Sequence, residues 1–225
     1  MRRVTIGSSV LVALAAAAFP ALSRVARRSG VSDLELDRTL PGDDLVADPE
    51  IRIDRATVIR APVGEIWPWI VQLGKGRASW YMPRGLERLI VWPPRKRSAT
   101  RIVESLQSLA PGDLVADWGP GDPSFKVVTL DAPRALVYLS LRDRSRNWSW
   151  PPDEGRPADV LAFSWALILD ELDDESARLQ IRLRGRSGRQ HGRLRPLLMR
   201  LGGLFDYLTI VVLFAGLKQR VQSRG

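Results

Sequence analysis

Residues 177–184 read Ala177-Arg178-Leu179-Gln180-Ile181-Arg182-Leu183-Arg184, and alternation of this kind predicts a β-strand with one apolar and one polar face. Leu179, Ile181 and Leu183 are expected to be buried, and the arginine face to be wet. After an intervening polar run the period changes. From about Leu194 to Arg220, Leu194, Leu197, Leu198, Leu201, Leu204, Phe205 and Leu208 recur every three or four residues, which predicts an amphipathic helix. From Tyr207 to Leu217 that helix is apolar nearly all round. Eleven residues cover only about 16 Å, too little to cross a bilayer. A helix with apolar faces to spare, following a one-sided strand, predicts a curved antiparallel sheet wrapped around its last helix, an α+β arrangement. Ala215 is placed on the cavity side of that helix.

Upstream, Ile51 to Arg60 is rich in β-branched residues and ends at Ala61-Pro62, which predicts the first strand. Its apolar positions change phase between Ile53 and Ala56, so a bulge is expected there. Val63 to Leu73 places Ile66, Trp67, Ile70, Val71 and Leu73 at helical spacing and stops at Gly74 and Gly76. A shorter helix is expected over Arg84 to Val91. Further strands are expected at Leu114 to Trp118, Phe125 to Leu130, Leu136 to Leu141 and Leu161 to Leu169. Turn signals such as Pro111-Gly112-Asp113 and Asp131-Ala132-Pro133 separate them.

Composition narrows the function. The 225 residues include no cysteine and one histidine, His191, within the polar run Arg186 to Arg195. Thiolate chemistry is excluded, and a His-centred triad or metal site is disfavoured; no metal and no cofactor are expected. The net charge of +9 is spread over many arginines, with no helix-turn-helix, zinc-finger or RNP-like pattern, so nucleic acid is not expected as a partner.

The chain divides into three parts. Residues 1–30 contain Val4 to Leu22, nineteen uncharged residues flanked by arginines. As a helix these reach about 28 Å, enough to span the hydrocarbon core as an anchor. A cleaved signal with small residues at Ala16 and Ala18 fits the same pattern, as does a soluble or interfacial helix, and arginines on both sides leave the orientation open. A membrane location follows in the first case and export in the second. Residues 31–50, with Asp33, Glu35, Asp37, Asp43, Asp44 and Asp48, read as an acidic linker. Residues 51–222 form the domain. Within it, Arg142 to Asp159, carrying Trp148 and Trp150, is expected as a long loop, either one able to cover a pocket or touch a membrane interface or a disordered insertion.

Taken in order, the strand ending Ala61-Pro62, Ile66-Trp67-Pro68-Trp69, Gly74-Lys75-Gly76-Arg77 leading to Trp80-Tyr81, the stretch Leu109 to Val115, Pro133-Arg134-Ala135-Leu136, the strand containing Phe163 to Ile168 and the ending Gly216-Leu217-Lys218 resemble the START-like (SRPBCC) superfamily. That superfamily includes polyketide cyclases and lipid-transfer domains. The resemblance implies a helix-grip fold with an apolar cavity between sheet and final helix, but no single reaction. Candidate ligand contacts on the strands are Trp118, Phe125, Tyr138, Phe163 and Trp165. Trp80 and Tyr81 follow the first helix, and Phe205 and Tyr207 lie on the last. The expected partner is an apolar small molecule or lipid; the alternative is an enzyme of the cyclase, aromatase or dehydratase kind. Asp117, Asp170 and Asp206 are the carboxylates that could serve a pocket as acid or base.

Overall fold

Among the described residues, seven strands form one mixed sheet in the order β1-β2-β7-β6-β5-β4-β3. A computed structural model describes residues 28–89, 97–117, 123–142, 160–186 and 195–222, the last with side chains from 206 onward. In chain order the elements are β1 (Arg28–Ser29), α1 (Asp33–Asp37), β2 (Ile51–Ile59), α2 (Val63–Gln72), α3 (Arg84–Leu89), β3 (Leu114–Ala116), β4 (Ser124–Asp131), β5 (Ala135–Arg142), β6 (Leu161–Asp173), β7 (Ser176–Arg186) and α4 (Arg195–Gln222). Only β1 runs parallel to its neighbour, β2, and every other pairing is antiparallel. This is the α+β plan expected from the sequence, with a curved sheet and a long C-terminal helix.

Cross-strand register sorts the side chains into two faces. Tyr138, Trp165 and Leu183 stand in one row with Ile53, and Leu136, Leu167 and Ile181 in the next with Arg55. These residues form the concave face. Its main core joins Leu136, Tyr138, Leu167, Leu169, Leu179 and Ile181 to Ile66, Trp69 and Ile70 of α2 and to Ile210, Leu213, Phe214 and Leu217 of α4. Ala215 points the other way and is exposed, so a bulky residue there does not fill the interior.

The convex face is covered as well, which corrects three sequence expectations. Residues 32–47 are not a solvated linker but a strap laid across the outside of β5, β6 and β7. Leu40 and Leu45 pack on Ala135, Val137, Ala166 and Ile168, and Val46 packs on Leu141, Val160 and Ala162. The arginine face of β7 is therefore not wet: Gln180 and Arg182 are fully buried. Nor is there a bulge in β2, whose pairing with β7 is continuous from Ile51 to Ile59. Its apolar residues change phase because both of its faces are buried.

Charge holds the strap down. Arg182 pairs with Asp54 at 2.6 Å and Asp43 at 2.7 Å, and donates to the carbonyls of Glu35, Leu36 and Arg38. Arg178 binds Glu35 at 2.6 Å, Arg38 binds Asp170 at 2.7 Å, and Arg184 donates to the Val46 and Ala47 carbonyls. A capping box between Ser32 and Glu35 starts α1.

No described helix is long and apolar enough to cross a membrane. Val4 to Leu22 and residues 143–159, with Trp148 and Trp150, lie outside the described residues.

Candidate functional site

The site begins with the turn after α2. Gly74, at φ 139°, approaches β3 so closely that a Cβ would lie 2.6 Å from Val115 Cγ1. Left-handed Gly76 and Ser79 complete a loop bridged to itself at Gly74 and Ser79, and to β3 at Lys75 and Ala116. The loop brings Trp80 back over the concave face. Its indole stacks on Trp165 at 5.7 Å between centroids and 16° between planes, while its Nε1–H donates to the Thr209 carbonyl of α4 at 3.0 Å. Trp165 stacks in turn on Tyr138 at 5.9 Å, and Phe125 meets both. Such offset and tilted contacts suit ring quadrupoles better than full overlap.

These four aromatic residues, with Leu73, Gly74, Val115, Ala116 and Asp117, line a cavity of about 40 Å³. That is room for roughly three water molecules. An aromatic ring does not fit this volume unless a lining side chain moves.

Two polar groups near the cavity stand out. Tyr138 is 3% exposed, and its hydroxyl makes no hydrogen bond among the described residues. Burial raises its pKa well above the ordinary phenol value, against the lowering effect of the Arg77 charge, so it stays a neutral donor. Arg77 lies behind Gly74, with its Cδ 3.4 Å from where a Gly74 Cβ would stand. It donates to the carbonyls of Val71 and Leu106, its Nε is buried without a partner, and it has no carboxylate partner among the described residues.

Asp117 on the cavity wall is paired with Arg142 at 2.5 Å. The Arg142 guanidinium carbon lies 5.4 Å from the centroids of both Phe125 and Phe163. One cation thus fixes a carboxylate and two rings beside the cavity.

The other sequence candidates lie elsewhere. Tyr81 is part of the core: its hydroxyl donates to the Trp69 carbonyl at 2.8 Å and its ring lies under Arg220. Phe163 packs against Gly185 in the neighbouring strand. Tyr207 lies beneath the Arg55 guanidinium, and Asp206 forms an ion pair with Arg55 between sheet and helix. Burial raises the Asp206 pKa, and the Arg55 charge opposes the rise. Asp170 binds the strap on the convex side. Trp118 and the side chain of Phe205 lie outside the described residues. The sequence reading quoted Gly74, Arg77 and Val115 for the helix stop and the resemblance but offered none of them as a site residue. The signal for Gly74 was its position in Gly74-Lys75-Gly76, a turn that must close on something.

No family model matches the sequence, and no curated protein matches it. Among solved structures, the chain is similar to the solution structure of a protein from Arthrobacter aurescens, at 16% identity and TM-score 0.39, covering 77% of this chain and 87% of that one. It is also similar to the crystal structure of a conserved protein from Geobacillus kaustophilus, at 11% identity and TM-score 0.41, covering 77% and 96%. A third is CalU16 from Micromonospora echinospora, at 18% identity and TM-score 0.34, covering 76% and 84%.

Proposed function

We propose that this chain is a START-like binding module that holds an apolar small molecule against the concave face of its sheet, tethered to a membrane or exported through Val4 to Leu22. The observation that carries the reading is the cavity wall, where Trp80, Trp165, Tyr138 and Phe125 present aromatic surface beside a single hydroxyl. Binding sites for small molecules have this composition: an apolar lining with a few placed polar groups. The small volume favours a ligand that takes over the position of the Trp80 indole in the stack rather than a lipid housed whole.

Native mass spectrometry of the full chain tests the reading. A small molecule should co-purify with the wild type and be lost from Val115→Phe, which puts a ring into the cavity. Overpacking costs typically about 1 to 3 kcal/mol, so the variant should stay folded. Equal ligand content in the two proteins counts against the site.

A further inference from the structure

The concave cavity has on one wall a hydroxyl from which no described residue accepts, and behind another a positive charge that no described carboxylate neutralises. Tyr138 lines the space, is almost wholly buried, and leaves its hydroxyl without a partner. A hydroxyl that opens onto the cavity and has no protein partner can give a ligand acceptor a directional hydrogen bond. Arg77 lies behind the Gly74 wall, and its guanidinium is satisfied only by neutral carbonyls and has a bare Nε. The nearest carboxylate on the cavity wall, Asp117, is held by Arg142. The field in the cavity therefore favours an oxygen acceptor.

We infer that the ligand is a planar, mainly apolar molecule carrying one carbonyl or carboxylate oxygen, which accepts a hydrogen bond from Tyr138 Oη while its flat body lies against Trp165. The inference rests on the cavity being the binding site. Geometry explains the shape requirement. The Trp80 indole already lies nearly parallel to Trp165, and a ligand ring in its place keeps that stacking while its oxygen reaches the hydroxyl of the adjoining Tyr138 ring. Arg77 adds a long-range attraction that favours the carboxylate over the carbonyl. The tyrosine supplies the directional contact common to both.

The test is an NMR titration of the full chain and of its Trp80→Ala form, whose missing indole leaves space for one ring. Toluene, benzaldehyde and benzoate are the probes. In Trp80→Ala, benzaldehyde or benzoate should bind about three- to tenfold tighter than toluene, the value of one hydrogen bond. The Tyr138→Phe change made in that chain should erase the difference and leave toluene affinity as it was. Because the hydroxyl has no protein partner, Tyr138→Phe alone should melt at or above the wild-type temperature. Benzoate above benzaldehyde indicates that the Arg77 charge selects an anion; the reverse order indicates a carbonyl ligand. Equal affinity for all three probes, or a preference that survives Tyr138→Phe, overturns the inference while leaving the cavity as a binding site. Failure of every probe, toluene included, overturns the cavity reading itself.

Discussion

Arg182 shows how much one buried side chain can organise. Its guanidinium spends every face on the strap or the sheet: two carboxylates and three carbonyls surround it at 1% side-chain exposure. Removing one member of a buried pair leaves the rest desolvated and uncompensated, which costs more than the pair contributes when intact. Arg182→Met should lower stability by about 3 to 5 kcal/mol in urea denaturation. A loss below about 1 kcal/mol would mean that the strap relaxes and admits water. Gly216 is a second residue whose role is set by distance. A Cβ there would lie 2.6 Å from the Tyr81 carbonyl, within helix α4. Alanine at an open helix position gains about 1 kcal/mol over glycine. Here the backbone contact reverses that sign, and Gly216→Ala should lower the melting temperature and weaken the edge-on contact between Tyr81 and Trp69.

At the scale of elements, the strap helix α1 is tied to β7 through Glu35. The Arg178 hydrogen bond, helped by Ser32 and opposed by burial, holds the Glu35 carboxyl at about 2, against 4.5 without these partners. A depressed folded-state value means the contribution is complete above about pH 4.5 and is lost as the pH falls toward 2. About a fifth of each side chain in the Glu35–Arg178 pair stays open to solvent (21% and 20%), and screening limits the effect to about 1 kcal/mol. Glu35→Gln should lower stability by up to about 1 kcal/mol at pH 7 and flatten the profile between pH 4.5 and 2, so that the two proteins converge near pH 2; an identical acid limb in both proteins excludes the Arg178 contact as its source. The same elements show what sequence could reveal. Alternation in β7 and three-four spacing in α4 are local properties, so both elements were legible. Burial of the second face was not, because Arg178, Arg182 and Arg184 look like a solvated edge until Glu35, Asp43 and Asp54 are seen beside them. For the cavity, Trp80, Phe125, Tyr138 and Trp165 could be named from aromatic content and strand phase, but Tyr81 could not be separated from Trp80. Adjacent residues leave a turn in different directions, and the turn geometry lies in Gly74, Gly76 and Ser79.

On the scale of the whole molecule, the sheet is the middle of three layers, with α2 and α4 on the concave side and the strap on the convex side. A sheet buried on both faces needs both covers. The concave cover includes the site, where Trp80 links loop, sheet and α4 through its stack on Trp165 and its bond to Thr209. The convex cover stiffens the strands that present Tyr138 and Trp165, since Val137 and Ala166 beside them pack under Leu40. The domain boundary therefore belongs before the strap rather than after it. Removing residues 1–27 should leave a cooperative thermal transition, because β1, α1 and the strap contacts all remain. Removing residues 1–47 strips the cover from Val137, Ala166, Ile168 and Leu141 and leaves Arg182 and Asp54 with much of their polar surroundings gone. The shorter chain should aggregate or melt without cooperativity, as followed by circular dichroism and size exclusion. If it instead unfolds as sharply as the longer one, with the same near-ultraviolet tryptophan signal, the strap is dispensable and the grip around α4 suffices to order the site.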